Sequence, residues 1–268
     1  MNNNALKKSI FVLAFFFSMF NMHSDMLGSY WGLNGTPFMF FRFAIIIVLM
    51  AVVTLINKDN LDFIANLVPK SALIFTALVI FDYFITHISG SHFLYRVWWI
   101  SYIIITLMTV FIVVTLMKYD RYPEFYKRFW LSFTPIYAFV LYICFMRLPS
   151  NIDAINMKLG DGTFLMLKAL INDFNVGFEA PLMFFGNIII FVPLPFVLSA
   201  ISDNFKPPII MLIGFVVPFI VESYQYIFKC GQVDIDDIVL NFGGFLMAFI
   251  VYMLIKKYKL NATEKPDS

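Results

Sequence analysis

Residues 208–255 read PIIMLIGFVVPFIVESYQYIFKCGQVDIDDIVLNFGGFLMAFIVYMLI, and this stretch decides the fold. It holds two apolar runs, 208–228 and 236–255. Each is close to the roughly 20 residues that a helix needs to cross the hydrocarbon of a bilayer. Only a short link beginning Lys229-Cys-Gly-Gln-Val separates them, so two neighbouring, antiparallel helices are expected. Working outward, six more stretches have the same character: 8–27, 37–56, 70–88, 97–117, 129–147 and 183–201. The expected fold is all-α, a polytopic transmembrane helical bundle of about eight spans.

Composition agrees. Of 268 residues, 61% are hydrophobic and 13% charged, with a mean hydropathy of +0.82. Soluble domains carry about 45–50% apolar and about 25% charged residues, so lipid is the expected solvent and membrane lipids the first partners. A net charge of +2 excludes a polyanion-binding face, and no nucleic-acid partner is expected. Two cysteines, Cys144 and Cys230, are too few to set a fold or a metal site. The first apolar run also fits a signal peptide, with Lys7-Lys8 as its basic start and Ile10–Phe20 as its apolar part. No small-x-small cleavage site follows, which favours a retained helix.

Basic residues set the direction. With eight spans and the N-terminus inside, the inner segments take Lys7, Lys8, Lys58, Lys70, Lys118, Arg121, Lys127, Arg128, Lys206, Lys256, Lys257, Lys259 and Lys265. The outer side takes Arg42, Arg96, Arg147, Lys158, Lys168 and Lys229. That imbalance is the positive-inside bias, and it makes both termini cytoplasmic. Aromatic clusters near span ends, such as Tyr119 to Trp130, suit an interfacial belt.

The basic inner loop 118–128 divides the chain into an N-terminal half, 1–128, and a C-terminal half, 129–268. The first half holds few polar residues inside its spans and no evident buried charge. The second contains a long outer loop, 148–182, in which Phe164, Leu167, Lys168 and Ile171 have the spacing of a short interfacial helix. A loop of that length is a candidate lid.

Polar residues inside a membrane cost free energy and so call for a reason. Here they gather in the last three spans. The sixth contains Asn187, then Pro193-Leu-Pro195; the seventh contains Pro218, Glu222 and Gln225. Asp234, Asp236, Asp237, Asn241 and Gly244 open the eighth. Glu222 and Gln225 share a helical face, as do Asp234, Asp237, Asn241 and Gly244. Glu222 is expected about 9 Å below the outer end of its helix, with Asn241 at a similar depth. Asn187, Glu222, Gln225, Asp234, Asp237 and Asn241 would therefore line an outward-opening polar pocket. Each also has a structural reading. Asp234 fits a helix N-cap, Asn241 an interhelical hydrogen bond and Gly244-x-x-x-Ala248 a packing seam. The prolines would break helices where neighbours satisfy the freed backbone.

The order Asn187-x5-Pro193, then Glu222-Ser-x-Gln225, then Asp234-Ile-Asp236-Asp237-x3-Asn241-x-Gly243-Gly244 resembles the signature of the VanZ family. These are bacterial membrane proteins whose founding member is associated with resistance to the glycopeptide teicoplanin. The resemblance covers about residues 129–255. It implies a multi-pass protein of the bacterial plasma membrane that lowers sensitivity to teicoplanin-type drugs. Two departures stand out. The basic residue that the family carries after Glu-x-x-Gln is replaced near Gly231 or Gln232, leaving Lys229 as the nearest cation. The family's Pro-x-Gly is here Pro193-Leu-Pro195.

Three activities fit these residues. A non-enzymatic envelope protein would use the pocket to engage a lipid-linked cell-wall precursor or a lipoglycopeptide. An intramembrane enzyme would divide acid and base roles between Glu222 and Asp237. A small-solute or proton-coupled transporter would protonate Glu222, although no internal repeat supports it. No cofactor fingerprint appears, and the scattered His23, His87 and His92 make no metal site.

Overall fold

The computed structural model describes residues 3–19, 36–88, 97–145, 155–156, 179–228 and 233–260. It is helical throughout apart from one pair of two-residue strands. The helices are α1 (Asn3–Met19), α2 (Thr36–Ile56), α3 (Leu61–Ile88), α4 (Val97–Leu116) and α5 (Tyr122–Phe145). They continue as α6 (Glu179–Ile190), α7 (Leu194–Ile201), α8 (Pro207–Phe228) and α9 (Ile235–Ile255). Among the described residues, four stretches are long and apolar enough to cross a membrane: Lys58–Ile85, Phe184–Ile201, Pro207–Phe228 and Ile235–Leu260. The apolar stretches Phe41–Ile56 and Ile100–Leu116 are shorter. The chain forms two compact units, residues 1–133 and 134–268.

In the first unit, α3 starts nine residues before the expected boundary at Lys70. A short 3-10 turn, Lys58–Asn60, delivers the chain into it, and the helix runs on through Pro69. Leu61, Ile64, Ala65, Val68 and Ala72 are all buried, a 3.6-period stripe that overrides the proline as a boundary. In the same way α5 begins at Tyr122, so most of the basic segment 118–128 is helix rather than loop. Tyr122, Phe125, Tyr126, Phe129, Trp130 and Phe133 fall at i, i+3, i+4 and i+7 spacings and are buried. Phe111 of α4 stacks on Phe129 with ring centroids 4.7 Å apart and meets Trp130 edge-on at 5.0 Å. These aromatics pack the core of the unit. Arg42 of α2 is buried as well, so the expectation that the first half buries no charge is wrong.

One end of this unit collects its polar contacts. Lys7 pairs with Asp59 at 3.3 Å, and Asn57 donates to the Lys7 carbonyl at 3.0 Å. Asp62 accepts from Tyr119 at 2.9 Å and pairs with Arg121 at 3.3 Å. Arg128 reaches Asn66 and Glu124, each at 3.5 Å. The starts of α3 and α5 therefore lie side by side, and the two helices run in the same direction.

The second unit is built on a broken span. α6 ends at Ile190 and α7 begins at Leu194, with a turn between them. Pro193 and Pro195 have no N–H, so the carbonyls of Ile189 and Phe191 lose their α-helical donors. The chain tightens to replace them: Val192 donates to Ile189 at 3.1 Å and Leu194 to Phe191 at 3.2 Å. Leu194 is thereby withdrawn from the Ile190 carbonyl, which instead accepts from the Tyr137 hydroxyl of α5 at 2.9 Å. The carbonyls of Ile189, Ile190 and Phe191 at the break thus each have a donor, as breaking a helix inside a membrane requires.

The remaining helices seat α9 against this span. A Cβ on Gly244 would collide with the backbone carbonyl of Ile188 in α6, and one on Gly214 of α8 would enter the Phe245 ring. Ala248, one turn beyond Gly244, is buried. The small-residue seam expected at Gly244-x-x-x-Ala248 is therefore where the backbones of α6 and α9 come closest.

Candidate functional site

Three helices bring the candidate residues to the start of α9. Asp234 stands just before this helix in extended conformation and caps it, its Oδ1 accepting from the Asp236 N–H at 2.9 Å. Its own N–H points at α8 and donates to Glu222 Oε2 at 3.4 Å. Asp237, in the first turn, accepts a short hydrogen bond from the Asn187 amide of α6. Asp237 and Asp234 are also the carboxylates that act electrostatically on Glu222. Asn187, Glu222, Asp234 and Asp237 thus form one cluster.

Burial makes the cluster unusual. Glu222 and Asp236 are each 4% exposed, whereas Asn187, Asp234 and Asp237 are half-buried. A buried carboxylate is held by hydrogen bonds or by opposite charge. The cluster's donors include two backbone N–H groups and one amide, with the positive end of the α9 dipole beneath Asp236 and Asp237. The carboxylates of Glu222, Asp234, Asp236 and Asp237 make the cluster rich in acceptor oxygens. It is suited to groups that donate, such as ammonium, amide or hydroxyl, and ill suited to phosphate.

Two of the six candidates lie apart from this cluster. Because the Asp234 N–H reaches Glu222, the start of α9 is level with that carboxylate. Asn241, seven residues further on, lies about 10 Å deeper rather than at a similar depth. It is 1% exposed, and its Oδ1 accepts no hydrogen bond among the described residues. Gln225, one turn from Glu222 towards the end of α8, is half-buried and makes no hydrogen bond among the described residues.

Two residues that sequence reasoning left out also matter. Asp236 is not among the residues expected to line the pocket, yet its side chain is buried. Tyr137 gave no signal, because its role depends on which carbonyl the proline turn frees. A parallel strand pair adds a further element: β1 (Ile155–Asn156) lies beside β2 (Val233–Asp234), with Asn156 opposite Asp234. Part of the long loop therefore meets the site. The segment 164–171, expected as an interfacial helix, lies outside the described residues, as do Lys229, Cys230, His23 and His92. Among the described residues, no group of three or more His, Cys, Asp or Glu side chains could hold a metal ion.

No curated protein and no solved structure matches the chain. Residues 133–256, which carry every side chain of the cluster, match the family model described as VanZ/LLP1, and this segment of the chain is VanZ-like.

Proposed function

We propose that this chain is a multi-pass protein of the bacterial plasma membrane that lowers sensitivity to teicoplanin-type glycopeptides. Its acidic cluster would do so by engaging an envelope lipid or the drug itself. The observation that carries this reading is the convergence of Asn187, Glu222, Asp234 and Asp237 from three helices. Such a site anchors donor groups, which the peptide and sugar parts of a lipid-linked wall precursor or a lipoglycopeptide supply. The contact of Ile155–Asn156 with Val233–Asp234 supports a lid role for the loop 148–182. Eight spans with both termini cytoplasmic remain the proposed topology, supported by the gathering of Lys7, Arg121 and Arg128 at one end of the first unit.

The test is teicoplanin sensitivity in a susceptible strain expressing the chain, with membrane levels matched by immunoblot. Glu222→Gln and Asp237→Asn should each return the strain towards the sensitivity of the empty host. Full protection by both variants would sink the pocket reading. A cysteine at Asp120→Cys should resist labelling by an impermeant maleimide from outside; labelling there would reverse the orientation.

A second reading is an intramembrane enzyme acting on a lipid-linked envelope precursor, favoured by the electrostatic coupling of Glu222 and Asp237. Like-charged neighbours divide into acid and base. Conversion of a lipid-linked precursor by purified protein, abolished in Glu222→Gln, would favour this reading over simple binding.

A further inference from the structure

Within the first unit, α3 and α5 leave a cleft of about 360 Å³ between them, well away from the acidic cluster in sequence and opposite to it in charge. Its polar lining is Asn66, Lys70, Arg128 and Ser132. Its apolar lining comprises Ala65, Pro69, Leu73 and Leu131. We infer that this cleft binds an anionic phospholipid, its phosphate held between Lys70 and Arg128 and its acyl chain laid along Leu73 and Leu131.

Register along the two helices carries the argument. On α3, Asn66, Lys70 and Leu73 follow at i, i+4 and i+7; on α5, Arg128, Leu131 and Ser132 follow at i, i+3 and i+4. Both triplets occupy a single face of their helix. The helices run in parallel from the polar end marked by Asp62 and Arg121. On both walls a cation is followed one turn later, in the same direction, by a leucine: Lys70 by Leu73 and Arg128 by Leu131, the order of a lipid from headgroup to chain. Lys70 is about 14 Å along its helix from Leu61, and Arg128 about 9 Å from Tyr122. That places the two cations between the exposed ion pairs and the fully apolar stretch, at headgroup depth.

Neither cation is fully used within the protein. Lys70 is exposed and has no hydrogen-bond or ion-pair partner among the described residues. Arg128 reaches Asn66 and Glu124, each at 3.5 Å, which leaves donors of its five-donor fork for a phosphate. Glu124 lies one turn before Arg128, on the water side, and also approaches Arg121 at 4.0 Å. A lone lysine in a span ordinarily snorkels to water. Two cations over one cleft with apolar walls instead make a basic pocket between helices, the kind that takes anionic lipid headgroups. The volume falls in the range of small-molecule sites, about 300–1,000 Å³. A free phosphate would leave the apolar walls empty.

Native mass spectrometry of the purified full-length protein tests the inference, with phosphatidylglycerol, phosphatidylcholine and inorganic phosphate as probes. Phosphatidylglycerol should be retained in preference to phosphatidylcholine. Lys70→Gln with Arg128→Gln should weaken its binding about 30-fold, which is about 2 kcal/mol for two basic residues. Lys58→Gln, which removes the same charge at an exposed position outside the cleft, should leave binding unchanged. Leu73→Ala with Leu131→Ala should also weaken binding of the lipid. If the double charge variant loses its thermal transition, each single variant is read instead, with about 5-fold expected. Equal retention of both lipids, or wild-type binding by the charge variants, would overturn the inference. So would displacement of phosphatidylglycerol by inorganic phosphate, which would make this an anion site and not a lipid site. None of these outcomes depends on the acidic cluster.

Discussion

Asp62 in the first unit and Glu222 in the second are both carboxylates near a helix end, but they are held differently. The Asp62 side chain is 65% exposed and meets a tyrosine hydroxyl and an arginine that is itself 58% exposed. Glu222 is 4% exposed and meets a backbone N–H, with other carboxylates as its charged neighbours. An exposed ion pair contributes about 0.2–1 kcal/mol and serves solubility and placement at the membrane surface. A buried acidic group held by neutral donors gains little stability from its charge. The first arrangement is what a membrane protein needs at its water-facing end. The second needs an additional reason, and binding supplies one.

The largest expected effect tests whether the second unit depends on close backbone approach. Gly244→Ala should cost about 3 kcal/mol, because the obstructing atom is the Ile188 backbone carbonyl and cannot swing aside. Gly243→Ala next to it meets nothing within 4 Å and should stay within about 0.5 kcal/mol. Unfolding of the purified protein in micelles measures both, and equal losses would remove the seam. Next in size, Tyr137→Phe deprives the Ile190 carbonyl of its donor and should cost about 1–2 kcal/mol. Amide hydrogen exchange should then rise around residues 190–194 and not elsewhere.

Asp234→Ala removes the α9 cap and should cost about 1 kcal/mol, whereas Asp234→Asn should restore most of it. Arg121→Gln in the first unit should cost less than about 0.5 kcal/mol, and less still at high salt. If Arg121→Gln proved the more damaging of the two, the contrast between the units would collapse. The smallest effect is in pH. The Tyr119 hydroxyl is pushed up to about 12, first by burial and then by donation to Asp62. Its folded value lies above the ordinary 10.0, so its contribution is fully present below pH 10 and is lost as pH rises towards 12. A spectrophotometric titration of wild type against Tyr119→Phe should show one phenolate fewer in that window.

The helical membrane architecture was legible because length and apolar content are local properties. Boundaries were less so. Lys70 and the charges of 118–128 suggested ends that α3 and α5 ignore, since a buried stripe continues beneath them. Within the site, the antiparallel pairing of α8 and α9 followed from their short link and brought Glu222 and Asp237 together correctly. The depth of Asn241 did not follow, because counting from helix ends could not show that Asp234 sits level with Glu222. The contribution of Tyr137 was invisible for a related reason. It answers a vacancy created by prolines in another helix, and no spacing rule links the two.

The pairing of Ile155 with Val233 has a consequence for the order of assembly. The two strands are separated by α6, α7 and α8, so the contact cannot form while those helices are still being made. Closing so long a stretch of chain is entropically costly, and packing of the intervening helices must offset that cost first. The strand pair is therefore among the last contacts of the second unit, completed only after Val233 has left the ribosome. A nascent chain released before that point would have α6 and α7 in hand and no finished site.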